Sequence, residues 1–191
     1  MNITLYSFIA FMLLWIYNGF ILAKYGLPES YSATFYKLNE TKKGLGILFP
    51  LLNVAFIALL LPSWLYVSDI MLPNFTWLAF ISAGGLLFVC ASPFFKEYTR
   101  DTGKPLSDLI YKSFHGQGLV HTIGALLAMI GSVTWVSMTS LWWLPIAWLL
   151  VAAIASLFTM SYKECIVFWI EIVIYTTMTT FMIFIGNLGM I

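Results

Sequence analysis

The chain has 191 residues, of which 61% are hydrophobic, 18% aromatic and only 9% charged, with a net charge of +1. Soluble domains carry about 25% charged residues, so composition excludes an ordinary water-soluble fold and makes lipid the solvent for much of the surface. The nine cations are spread over separate short polar stretches instead of one basic stripe, which argues against a nucleic-acid partner.

Apolar runs of about the 20 residues needed to cross roughly 30 Å of hydrocarbon are expected near 3–23, 45–66, 76–95, 117–137, 141–160 and 164–187. The first has no cation before it, is too long for a signal-peptide core and lacks a small-residue cleavage site, so it reads as a retained helix. After it come Lys24, Lys37, Lys42 and Lys43. Lys96, Arg100, Lys104 and Lys112 follow the third run, and Lys163 follows the fifth. Cationic short loops are retained in the cytoplasm, so this alternation predicts six transmembrane helices with both termini on the non-cytoplasmic side of a cell inner membrane. Trp64, Tyr66 and Trp77 flank one outer connection, and Trp135, Trp142 and Trp143 flank the other, as interfacial aromatic belts do. The expected fold is all-α: one polytopic six-helix bundle forming a single domain over 1–191.

Two cytoplasmic connections are longer. In 28–41, Tyr31, Phe35 and Leu38 fall at i, i+4 and i+7, so a short helix is expected to rest this apolar side on the membrane surface. In the other, Pro105 opens a second amphipathic stretch over 106–114. Cys90 and Cys165 lie near predicted cytoplasmic helix ends, where a reducing environment disfavours a disulfide.

Ionisable groups inside a span cost about 2.5–3.5 kcal/mol at mid-membrane, so each needs a reason. Glu171 lies about 12 Å along its helix from Lys163, and His121 roughly 13 Å from Lys112, at 1.5 Å per residue. Both helices enter from the cytoplasm, so the two groups share a depth. Asn18, Asn53, Cys90 and Ser92 reach a similar level from the first three helices, and Glu164 sits nearer the surface. His121 falls within a stripe of small residues, Gly118, Ala125, Ala128 and Ser132, which suits close helix packing. Glu164, Phe168, Glu171, Tyr175 and Met178 share a face of the last helix. A His121–Glu171 contact is therefore expected, within a cytoplasm-facing polar cavity lined by Asn18, Asn53, Ser92, His121, Glu164 and Glu171.

Catalytic signatures are scarce. His115 and His121 lie about 240° apart around a helix, so they cannot grip one metal together, and no HExxH, GxSxG or P-loop occurs. No metal or other cofactor is expected. Gly116-Gln117-Gly118 offers a weak anion cradle at a helix N-terminus. Three function classes fit: a protein that binds or conducts a proton, an ion or an amphiphilic lipid; a lipid-directed enzyme using His121 and Glu171 as acid and base; and a structural assembly partner in which the pair only locks packing. The first is the leading one. The bilayer is the expected partner, with a bound lipid or ion and an oligomeric state left open.

Gly26-Leu27-Pro28-Glu29-Ser30-Tyr31-Ser32 after the first helix and Gly118-Leu119-Val120-His121-Thr122-Ile123-Gly124-Ala125 in the fourth resemble a broad group of prokaryotic and phage-encoded six-helix membrane proteins. The resemblance implies the six-helix fold and draws attention to Ser30, Ser32 and His121 as matching positions. It implies no activity. Metal-dependent ceramidase-like membrane hydrolases use several histidines, and this chain has too few to share that chemistry.

Overall fold

The computed structural model describes residues 2–28, 30–93, 111, 114–158 and 162–188, with the side chains of 158 and 162–166 left aside. Its long helices are α1 (Ile3–Tyr25), α3 (Leu48–Met71), α4 (Trp77–Ala91), α5 (Gly116–Ser137), α6 (Leu144–Phe158) and α7 (Tyr162–Asn187). A short α2 (Thr34–Thr41) and two 3-10 turns, Leu45–Ile47 and Pro73–Phe75, complete the described connections. No strand occurs among the described residues.

Local chemistry sets the ends. Asn2 caps α1 by accepting the Leu5 N–H at 3.0 Å, and Gly26 terminates the helix at φ +74°, a conformation costly for any residue with a Cβ. The span expected to reach residue 95 stops at Ala91. Pro93 disfavours helical geometry at the residue before it, and Ser92 accordingly sits at φ −133°, ψ 64°. Pro62 stands inside α3, where its missing N–H leaves the Ala58 carbonyl without its helical partner.

Among the described residues five helices are long and apolar enough to cross a membrane: Ile3–Tyr25, Leu45–Met71, Pro73–Ala91, Gly116–Ser137 and Val167–Asn187. The chain is thus compatible with an integral membrane protein. The run expected over 141–160 differs. Residues 141–143 form a turn, and α6 begins only at Leu144, so its 15 residues extend about 22 Å. The amphipathic stretch expected over 106–114 lies outside the described residues, apart from Tyr111 and Phe114.

α7 is the enclosed helix. Of its most apolar window 72% is buried, against 28–39% in the other four, because it touches α1, α3, α5 and α6. The most extensive interface joins α4 to α5, and it is built on absent side chains. A methyl at Gly85 would lie 2.5 Å from both the Gly124 carbonyl and the Ala128 nitrogen, and one at Gly131 would lie 2.7 Å from the Leu78 carbonyl. The backbones touch, and Ser82 Oγ donates to the Ala128 carbonyl across the seam at 2.9 Å. The stripe expected on α5 is present, but its contact points are Gly124 and Gly131, with Ala125 only half-buried.

Candidate functional site

The site lies where α4, α5 and α7 meet the connection between α1 and α3. His121, 2% exposed, is five residues into α5, where the lack of bulk at Gly118 and Gly124 draws the helix inward. Glu171, 7% exposed, is nine residues into α7. Imidazole Nε2 and carboxylate Oε1 are 3.7 Å apart. Counting depth along two separate helices therefore places these groups in contact.

Orientation follows from the other ring nitrogen. Nδ1 lies 3.0 Å from the carbonyl oxygen of Ser92, which can only accept, so Nδ1 carries a proton and donates it. Nε2 is then the nitrogen turned to the carboxylate. Attraction at that face requires a further proton, held on Nε2 or on the acid, because a bare nitrogen lone pair and a carboxylate repel. Ser92 contributes through its backbone. Its own hydroxyl donates to the Phe88 carbonyl at 2.7 Å.

The second carboxylate oxygen has an unforeseen partner: Oε2 accepts the backbone N–H of Tyr31 at 2.6 Å. The connection expected to lie on the bilayer surface is instead folded into the protein. Pro28, Ser30, Tyr31, Ser32, Ala33, Thr34 and Leu38 are all buried, and only Thr34–Thr41 is helical. Irregular backbone is tolerated at such depth when protein side chains satisfy it, and that is the case here. The Ala33 N–H donates to Ser30 Oγ at 3.1 Å, Ser30 and Ser32 share a hydrogen bond, and Thr34 Oγ1 donates to the Tyr31 carbonyl at 2.6 Å and pairs with Tyr17 OH. The Tyr31 ring packs against those of Tyr17, Phe49 and Tyr175 at 5.8, 5.3 and 5.1 Å. An amphipathic period looks the same whether a helix covers lipid or protein, which is why the sequence misplaced it.

The remaining expected residues divide. Asn53 joins helices: its Oδ1 accepts Tyr175 OH at 2.5 Å, while its amide donates to the Phe49 carbonyl. Asn18 is buried on the inward side of α1, and its amide donates within its own helix, to the Leu14 carbonyl at 2.9 Å. Glu164 belongs to the first turn of α7, and its side chain lies outside the described residues, as does that of Cys165. His115 is exposed at the α5 entrance, stacked on Tyr111 with centroids 4.0 Å apart. Gln117, from the expected anion cradle, donates its side-chain amide to the Pro93 carbonyl at 3.0 Å.

Tyr36 of α2 donates to that same Pro93 carbonyl at 2.6 Å, so one carbonyl beyond α4 ties both α2 and α5. Partial burial raises the Tyr36 phenol above its ordinary value, and Gln117 beside it pulls part of the way back. The phenol therefore stays a donor at neutral pH. Among the described residues no three of the His, Cys, Asp and Glu side chains converge as metal ligands would. Chemically the arrangement is an acid and an imidazole, screened from solvent, with room between them for a proton. No family model, no curated protein and no solved structure matches this chain, so the functional reading rests on the geometry.

Proposed function

We propose that the chain is a six-span integral membrane protein that binds and conducts protons, with the His121–Glu171 pair as its proton site, reached from the cytoplasm. The orientation rests on the cation alternation, which puts both termini on the non-cytoplasmic side of the inner membrane. Support for the sixth span comes from chain direction. α5 and α7 meet at His121–Glu171 and again at Trp135–Phe181, whose rings are 5.0 Å apart, so the two helices run in parallel. α6 must then return the chain across the same layer, with the turn before it making up part of the length.

The observation that carries the proton reading is the imidazole–carboxylate contact on the most enclosed helix. Intramembrane acids and histidines recur in proton relays, and with Nδ1 fixed by a carbonyl it is Nε2 that faces the acid, across a gap that a proton would pass. The 3.7 Å gap is too narrow for a hydrated cation. Beyond the pair, the buried hydroxyls of Thr177, Ser7, Ser63 and Ser68 have no hydrogen-bond partner among the described residues.

The test is reconstitution into vesicles loaded with a pH-sensitive dye, followed by an external acid jump. Wild-type vesicles are expected to acidify faster than empty ones. Glu171→Gln and His121→Ala should fall about tenfold or more, to the rate of empty vesicles, at equal incorporation and unchanged elution profile. Wild-type flux no faster than empty vesicles, or variants as fast as wild type, would contradict the proposal. Loss of folded protein in both variants would instead favour the pair as a packing lock.

A further inference from the structure

The pair is buried, yet a proton site must be reached, and among the described residues those of the α1–α3 connection cover it, with Tyr31 bonded to Glu171. Residues 26–28 and 30–44 form a strap across the lysine-bearing end of the protein. Each end is a glycine in the left-handed region, Gly26 at φ +74° and Gly44 at φ +90°. A Cβ at either position would meet nothing within 4 Å, so backbone conformation and not crowding calls for glycine there. Between them, the polar bonds that tie the strap to other elements include Tyr31 N–H to Glu171, Tyr36 OH to the Pro93 carbonyl, and Tyr17 OH to Thr34 Oγ1. Its far end is braced internally, with Asn39 Oδ1 accepting the N–H groups of Gly44 and Gly46 at 3.0 Å each.

We propose that this strap is the cytoplasmic gate of the proton site and that the Glu171 carboxylate is its latch. The inference rests on the proton reading and adds the regulation of the same site. One carboxyl group does both jobs: Oε1 faces the imidazole, and Oε2 holds the strap. A hydrogen bond to a charged carboxylate is about twice as strong as one to a neutral acid. With the negative charge present, the strap is seated and the pair is screened from water. Protonation of Glu171 weakens the Tyr31 bond, and the strap lifts about its two glycines. The site then opens to the side from which the proton is exchanged.

The groups that bear on this charge are His121 from α5, Tyr31 from the strap and Tyr175 one turn along α7. The Cys90 thiol of α4 and the Tyr17 phenol of α1 lie near enough to interact with both tyrosines. Of the five, His121 alone is cationic when it holds two protons. Transfer of one of them to Glu171 discharges both groups and weakens the bond that seats the strap. The two proton positions thus correspond to two strap states.

Hydrogen–deuterium exchange of the full chain in lipid nanodiscs reads this directly. Peptides covering 30–36 are compared with peptides from the α4–α5 seam in wild type, Glu171→Gln and Tyr36→Phe. Strap amides are expected to exchange at least about tenfold faster in both variants while the seam stays protected. Strap amides as slow as in wild type in both variants would overturn the gate, leaving a fixed floor. Strap and seam loosening together would overturn it too, since Glu171 would then hold the whole fold. The vesicle assay separates the two proposals. Lost flux in Glu171→Gln with an unchanged strap keeps the proton site and rejects the latch. A loosened strap with undiminished flux keeps the latch and rejects the proton site.

Discussion

α5 meets its neighbours in two ways within three turns. At Gly124, Ala128 and Gly131 it lies backbone-to-backbone against α4, held by dispersion and shape together with the Ser82–Ala128 hydrogen bond. At His121 it faces α7 and the strap through polar atoms, each with a nameable partner. The first contact has no second arrangement of similar energy, because any separation of the helices forfeits every contact at once. The second depends on where one proton resides. Permanence and responsiveness are thus assigned to adjacent stretches of a single helix.

The comparison breaks most severely at the seam. Gly85→Leu or Gly124→Val must push α4 and α5 apart. We expect a loss of about 3 kcal/mol or more, read as failure to recover monodisperse protein or as early unfolding in mixed micelles. Glu171→Ala comes next. It strands the Tyr31 N–H and removes the carboxylate facing His121 Nε2, for about 3 kcal/mol in the same unfolding assay, whereas Glu171→Gln retains an acceptor and should cost about half as much. A Glu171→Gln as damaging as the alanine variant would mean that charge, and not hydrogen bonding, holds the strap in the folded state.

Smaller effects sharpen the contrast. Tyr175→Phe removes the bond to Asn53 and should cost about 0.6 kcal/mol, the average for such bonds between membrane helices. Gly44→Ala keeps every contact but strains the left-handed backbone of the seated strap, for about 1 kcal/mol, and should therefore speed strap exchange while leaving the seam protected. The Tyr36 latch adds a pH statement. Its phenol ionises only above the usual tyrosine range, so the bond to Pro93 is present at neutral pH and fails only as strongly alkaline pH removes the proton. Exchange of 30–36, corrected for intrinsic rates, should therefore show no Tyr36-dependent step between about pH 6 and 9.

Much of this was legible before any coordinates. Apolar runs mark the spans because lipid admits few polar side chains, and depth counted from Lys112 and Lys163 places His121 and Glu171 level. The inward turn of His121 was visible in the small residues around it. Other features were hidden for physical reasons. The partner of Glu171 is a backbone N–H, which every residue but proline possesses, so no side chain at Tyr31 announces it. Ser92 looks like a lining hydroxyl, and only its position before Pro93 hints that its carbonyl would be exposed for His121. The seam needed two stripes, and Gly85 means little until Gly124 is known to face it. α6 is short because residues 141–143, though apolar, form a turn.

The claim beneath both proposals is that one carboxyl group is shared between the α5 imidazole and the strap. Infrared difference spectroscopy of the protein in nanodiscs, with 13C-labelled glutamate, observes that group directly as pH is changed. The account predicts one carboxyl band that disappears in Glu171→Gln and changes frequency in His121→Ala. A Glu171 band that is the same with and without the imidazole would contradict it.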